Sequence, residues 1–310
     1  MPAGLLDLPT RSEGLELVDW IEQSMLLGAV DEQPRIAIVD EFATADPPDD
    51  SDVEFAVAEI RRRAAVAPES YPFSTAEDEQ VILLARGGRR EAYELLVMLS
   101  RPDAPWRSNG RHVEAEAHFS VIVEQAARSL FVGARAVRFS RPNVDGRPEQ
   151  LREAIPWLAR QIGVDHGDLG ALSEGALDPG VDVVAFTGGG GHAEFIRTTL
   201  DVSRHRPRGD VARDALAQML GFTTTPSARL AVPFALVAEE FARLGLATLD
   251  RIALCRCVPA RQLASLGAWT PMREFARSER EELVRRMSAP ATGTLPDLSR
   301  KPRRNRFLED

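Results

Sequence analysis

The chain has 310 residues, 44% hydrophobic and 27% charged, a balance in which an apolar core can offset the entropy of ordering the chain, so wholesale disorder is excluded. No stretch approaches the roughly 18 apolar residues that span a bilayer, and M-P-A-G-L-L-D-L-P has neither a basic nor a long apolar region; the expectation is a cytoplasmic protein with no membrane partner. The net charge of −9 is unevenly spread, with 22 acidic residues against 10 Arg in residues 1–110 and 25 against 28 Lys and Arg in residues 111–310.

Residues 13–30 place Leu17, Trp20, Ile21, Met25 and Leu26 at helical spacing, with Gly28 as a stop signal. The Pro-Asp cluster A-D-P-P-D-D-S-D then breaks helix and predicts a surface loop, read either as a solvated linker or as an acidic docking segment. Phe55 to Ala67 and Arg90 to Leu99 read as two further helices, so residues 1–110 are expected to form an acidic helical N-terminal domain. Residues 111–310 form the second expected domain.

That second part opens with a helix from His112 to Phe131, carrying Ala117, Val121, Ile122, Ala126 and Leu130 as a stripe. Ala134 to Ser140 alternates as a half-buried strand, and Glu149 to Ile162 is helical despite Pro156. Val181 to Phe186 is a short central strand, G-G-G-G at 188–191 a turn, and Phe195 to Val202 its hairpin partner. There follow a helix from Asp210 to Leu220, a strand from Ala228 to Leu236, helices over 237–246, 249–258 and 271–287, and a basic tail. Cys255 and Cys257 sit two apart in a helical pattern, about 200° around the axis, and are expected as reduced thiols.

Helix, strand, strand, strand, helix, strand is an α/β order, and its residues carry a resemblance. F-S-V-I-V-E-Q-A-A, D-G-R-P, W-L-A-R-Q-I-G, D-P-G-V-D-V-V-A-F at 178–186, V-P-F at 232–234 and D-R at 250–251 together resemble the restriction-endonuclease-like PD-(D/E)xK nuclease superfamily, in a divergent bacterial branch associated with defence. Trp20, Y-P-F and the Tyr93 to Leu99 helix extend the likeness towards the whole chain. The resemblance implies an αβββαβ core, a mixed sheet flanked by helices, and a Mg²⁺-dependent DNA endonuclease or an inactive relative working in a restriction or anti-phage system.

It also implies a site. Asp182 would hold Mg²⁺ with Asp201 or Thr199 on the neighbouring strand, and Glu124 would complete the site from the first helix. Period two puts Arg197, Thr199 and Asp201 on one face of that strand and Ile196, Thr198, Leu200 and Val202 on the other. The lysine that normally follows falls on Ser203 or Asp201, and Lys301 is the sole lysine of the chain, so hydrolysis is expected to be weak or absent.

Each residue has a plainer reading beside the functional one. Asp182 serves equally as a strand-start aspartate or turn cap, and Glu124 as a solvated helix-face glutamate. Arg197, Arg204, Arg206 and Arg208 form a candidate edge for DNA phosphates or a solvated loop. T-G-G-G-G-H lacks the Gly-Lys-Ser/Thr ending of a phosphate-binding loop, and His192 and His205 have no ligand spacing. A rival to the nuclease reading is a non-catalytic assembly subunit of a defence complex, docking to protein partners through its acidic first part.

Overall fold

The computed structural model describes residues 14–28, 32–34, 50–76, 81–85, 87–139, 146–170, 172, 180–188, 191–200, 209–236 and 247–288. The first helices are α1 (Gly14–Gly28), α2 (Asp50–Val66) and α3 (Gly88–Ser100). Helical periodicity accounts for each: Leu17, Val18, Ile21 and Met25 of α1 and Val53, Ala56, Val57 and Ile60 of α2 are buried on one side. α3 is buried from Ala92 through Leu99 because other elements surround it.

The first 110 residues are not purely helical. Strands β1 (Glu32–Pro34), β2 (Phe73–Thr75) and β3 (Val81–Leu84) form a small antiparallel sheet in the order β1-β3-β2. Phe73, Ile82 and Leu84 face the interior from it.

A second sheet organises the rest. Its strands are β4 (Arg135–Arg138), β5 (Val183–Phe186), β6 (Ala193–Thr198), β7 (Ser227–Ala231) and β8 (Ala247–Leu249), hydrogen-bonded in chain order. β5 runs antiparallel to its neighbours β4 and β6, whereas β6, β7 and β8 run parallel. The helices are α4 (His112–Ala127) before β4, α5 (Leu151–Ile162) before β5, α6 (Gly209–Met219) between β6 and β7, and α7 (Arg251–Cys257), α8 (Ala260–Ala264) and α9 (Trp269–Ser288) after β8. The molecule is thus mixed α/β, a five-stranded mixed sheet flanked by helices. Strand β8 replaces the start of the helix expected over 249–258; Asp250 then caps α7 by accepting the Ala253 N–H at 2.8 Å.

Both faces of this sheet are covered, which is why V-V-A-F of β5 is an unbroken apolar run. Val183, Ala185, Ile196, Ala231 and Leu249 join the core built by α1, α2, α3, α4, α7, α8 and α9. Val184, Phe186 and Phe195 face a smaller core with α5 and α6. Gly163 ends α5 in the left-handed region, φ 79°, where a side chain would strain the backbone. The larger core draws on both sides of residue 110, and Ser70 donates to the Val258 carbonyl at 2.9 Å. Among the described residues no helix is long and apolar enough to cross a membrane. The helix expected over 237–246 and the basic tail lie outside the described residues.

Candidate functional site

Asp182 sits immediately before β5, where the ladder to β6 is irregular. Its N–H donates to the Ile196 carbonyl at 2.9 Å, although the register pairs Ile196 with Val183. Two successive residues therefore face one partner, the pattern of a β-bulge, which bends a strand and re-aims a side chain. The carboxylate reaches β6: Asp182 Oδ2 accepts the Thr198 backbone N–H at 2.6 Å and the Thr198 hydroxyl at 3.0 Å. One oxygen of the carboxylate thus fastens the start of β5 to the end of β6.

Thr198 shares its side of β6 with Ile196 and Leu200, both buried in the larger core, so Asp182 meets that side of the strand. Arg197 and Thr199 are half-buried, and the Thr199 N–H donates to the Ala231 carbonyl at 3.1 Å. Asp201, Arg204, His205, Arg206 and Arg208 lie outside the described residues.

Glu124 is buried on α4 rather than solvated on its surface. Its Oε1 pairs with Arg128, one turn on, at 2.5 Å, and its Oε2 with Arg138 of β4 at 2.8 Å. Arg138 pairs in register with Val183, and the Phe139 N–H donates to the Asp182 carbonyl at 2.6 Å. Glu124 and Asp182 therefore belong to the same end of the sheet. Both Glu124 oxygens are engaged by guanidinium groups, and a metal ion would have to displace at least one of them. Among the described residues no three His, Cys, Asp or Glu side chains converge as a metal shell. His192 is exposed and packs edge-on against Phe131, ring centres 4.7 Å apart, with its Nε2 3.9 Å from Glu194.

A second polar constellation escapes the sequence reading. Glu22 of α1 is fully buried, and four groups from three helices and the loop before β2 converge on it: Tyr71 and Tyr93 hydroxyls, each at 2.5 Å, Arg63 of α2 at 2.8 Å and Arg251 of α7 at 3.0 Å. Asp19, one turn before Glu22, accepts from Arg251 at 2.6 Å and Arg63 at 3.2 Å, and Arg63 also reaches Glu59 at 2.9 Å. Burial opposes the charge of Arg63, yet the nearby Glu22 and Asp19 outweigh it and hold the guanidinium well above its ordinary range. Arg251 is raised likewise, against burial, by Asp19 and Glu22. Burial, reinforced by Glu22, pushes both tyrosine hydroxyls well up, so they remain donors. The available signal was spacing: Glu22 follows Val18 by four residues and Arg63 follows Ile60 by three, each charge on the buried stripe of its helix.

No family model and no curated protein matches the chain. A similar solved structure, the crystal structure of protein VC1899 from Vibrio cholerae, is 11% identical, with 86% of this chain and 51% of that chain covered and a TM-score of 0.23. This chain spans about half the length of that protein, and so low a score leaves the likeness without weight for fold or function.

Proposed function

We propose that the chain is a restriction-endonuclease-like protein of a prokaryotic restriction or anti-phage system, one that contacts nucleic acid, DNA first, and hydrolyses it weakly or not at all. The observation that carries the reading is the order α4-β4-α5-β5-β6-α6-β7, an αβββαβ succession with α5 inserted after its first strand, in which three antiparallel strands are followed by a parallel one and Asp182 stands just before the second strand. That is where the resemblance puts the first metal-holding carboxylate.

The described residues do not by themselves suit Mg²⁺. Asp182 Oδ2 already accepts two hydrogen bonds, and Glu124 is engaged by Arg128 and Arg138. When bound in such a site, Mg²⁺ polarises the phosphodiester and acidifies a water. With no lysine before position 301 and arginines that keep their protons at neutral pH, no lysine or arginine in the body of this chain can act as a general base near the sheet. What Arg128, Arg138 and Arg197 supply instead is fixed positive charge, which suits phosphate contact.

The engaged carboxylates also favour a second reading, a non-catalytic platform that docks to protein partners through its acidic first 110 residues. One experiment separates the two. Labelled DNA and RNA are titrated with the full chain over a salt series, then incubated with Mg²⁺ or Mn²⁺. Salt-dependent binding with little or no cleavage is the expected result. Robust turnover lost in Asp182→Ala would overturn the argument from the missing lysine, and absence of all nucleic-acid binding would leave the platform.

A further inference from the structure

Away from the sheet, α3 and α9 border an open cavity of about 350 Å³. Arg90, Glu91 and Glu94 line it from α3, and Arg273, Arg277 and Arg280 from α9. Glu91 pairs with Arg273 and Glu94 with Arg280, so the two helices run in the same direction with their N-terminal ends together. The first turns of both therefore point partial positive charge towards one region.

On α9 the three guanidiniums of Arg273, Arg277 and Arg280 face the two carboxylates of Glu91 and Glu94, and the two do not neutralise the three. The Arg273 to Glu91 contact is long, 3.8 Å, and Arg280 meets Glu94 at 3.3 Å. Burial raises the Glu94 carboxyl, more than Arg280 and Arg90 lower it. Arg277 is exposed and makes no ion pair or hydrogen bond among the described residues. Arg273, Arg277 and Arg280 also occupy one face of α9 at spacings of four and three, where like charges repel. Folding has thus gathered the guanidiniums of Arg273, Arg277 and Arg280 around an open space, and Arg277 has no carboxylate partner among the described residues.

The ends of the cavity agree with this. Gly87 caps α3 with φ 82° and no side-chain cap, and a Cβ built there would meet nothing within 4 Å. The first backbone N–H groups of α3 have no intrahelical acceptor, and Gly87, which precedes them, lines the same space. Among the described residues no aromatic ring lines the cavity to stack on a base, and its volume suits a small ligand rather than a duplex.

We propose that this cavity binds a small, multiply charged phosphoryl anion, held by the forked guanidiniums of Arg273, Arg277 and Arg280 and the uncapped start of α3. The site stands apart from the sheet end and does not depend on any nuclease reading. Free diphosphate and the diphosphate of a nucleotide offer it the same chemistry.

The test uses the full chain with sodium pyrophosphate and, in a second arm, ADP, by calorimetric titration and by thermal melting at constant ionic strength with chloride as control. Saturable binding and a rise in Tm above the chloride control are expected, because a ligand that binds only the folded state stabilises it. Arg277→Glu should weaken binding by at least about tenfold, as loss and reversal of a charge-assisted contact requires. Arg277→Gln should weaken it less and, having no partner to lose, melt like wild type without ligand. Similar affinities for pyrophosphate and ADP support recognition of the phosphates. No shift beyond chloride, undiminished binding by Arg277→Glu, binding of ADP alone, or Arg277-dependent binding of a short single-stranded DNA without pyrophosphate binding would each overturn the proposal.

Discussion

Glu22 and Arg251, 229 residues apart in sequence, meet at 3.0 Å where neither side chain touches solvent to more than about one part in a hundred. The carboxylate of α1 thereby joins the helix that follows the last strand of the large sheet. Removing Glu22 would leave Arg63 and Arg251 buried with only Asp19 and Glu59 to answer them. Glu22→Ala should therefore cost about 3–5 kcal/mol, read as a lower urea midpoint with an unchanged slope. Tyr71→Phe removes one donor and leaves a charged acceptor with three others, so its cost should be about 1.5–3 kcal/mol, clearly the smaller of the two. Equal losses would mean that packing, not charge, dominates the cluster.

The same region sets the response to alkali. Burial pushes the Cys255 thiol from its ordinary 9 up to about 12, and burial raises the Tyr71 and Tyr93 hydroxyls well above 10. In each case the folded pKa exceeds the unfolded one, so the unfolded chain releases its proton first. Stability is then fully present below pH 9 and falls as pH rises, from about 9 for Cys255 and from about 10 for the tyrosines, by up to about 1.4 kcal/mol per pH unit for each group. Urea midpoints from pH 8 to 11 should show this decline, and Cys255→Ala should flatten its first part. A flat profile in wild type would show that these groups open to solvent before the fold does.

Much of the architecture was legible from periodicity. α1, α3, α4, α5, α6 and α9 fall within a few residues of the expected spans, because each has an apolar stripe long enough to reveal a period of 3.6. β5 was legible as an apolar run and β6 as its partner. What escaped is short or contextual. β2 has three residues and β3 reads V-I-L-L, too brief and too uniformly apolar to declare alternation. Asp182 was found but its partner was not: period two put Thr198 on the apolar face, and only the bulge, which no local pattern announces, turns the carboxylate to that residue. Glu124 looked solvated because Arg138, which buries it, comes from a different element.

The Asp182 bulge gives a graded prediction. Asp182→Ala leaves the Thr198 N–H and hydroxyl without this acceptor and should cost about 1–3 kcal/mol. Asp182→Asn keeps an acceptor oxygen and should lose less, and Thr198→Val, which removes only the hydroxyl bond, should lose least. Hydrogen exchange at the Thr198 amide offers a direct local readout, faster in Asp182→Ala than in Asp182→Asn. Unchanged exchange in both would mean that the carboxylate does not fasten the strands in solution.

Glu124 distinguishes a phosphate-contacting sheet end from a metal-holding one. Its carboxylate neutralises part of the charge of Arg128 and Arg138, of which Arg128 is the more exposed, at 45% against 11%. If that end of the sheet meets nucleic acid through these arginines, Glu124→Gln frees positive charge while keeping the side-chain shape. Affinity for DNA should then rise, and the log-log dependence on salt should steepen by roughly 0.9 for each additional phosphate contact. A metal ligand behaves the other way: Glu124→Gln would leave binding in EDTA unchanged and depress any Mg²⁺- or Mn²⁺-dependent cleavage. Binding isotherms over a salt series in EDTA, paired with cleavage assays on the same variant, decide between the two. Loss of charge compensation will lower the stability of the variant, since Arg138 is nearly buried, so the isotherms are to be taken well below its melting temperature, where a weakened fold cannot imitate weakened binding.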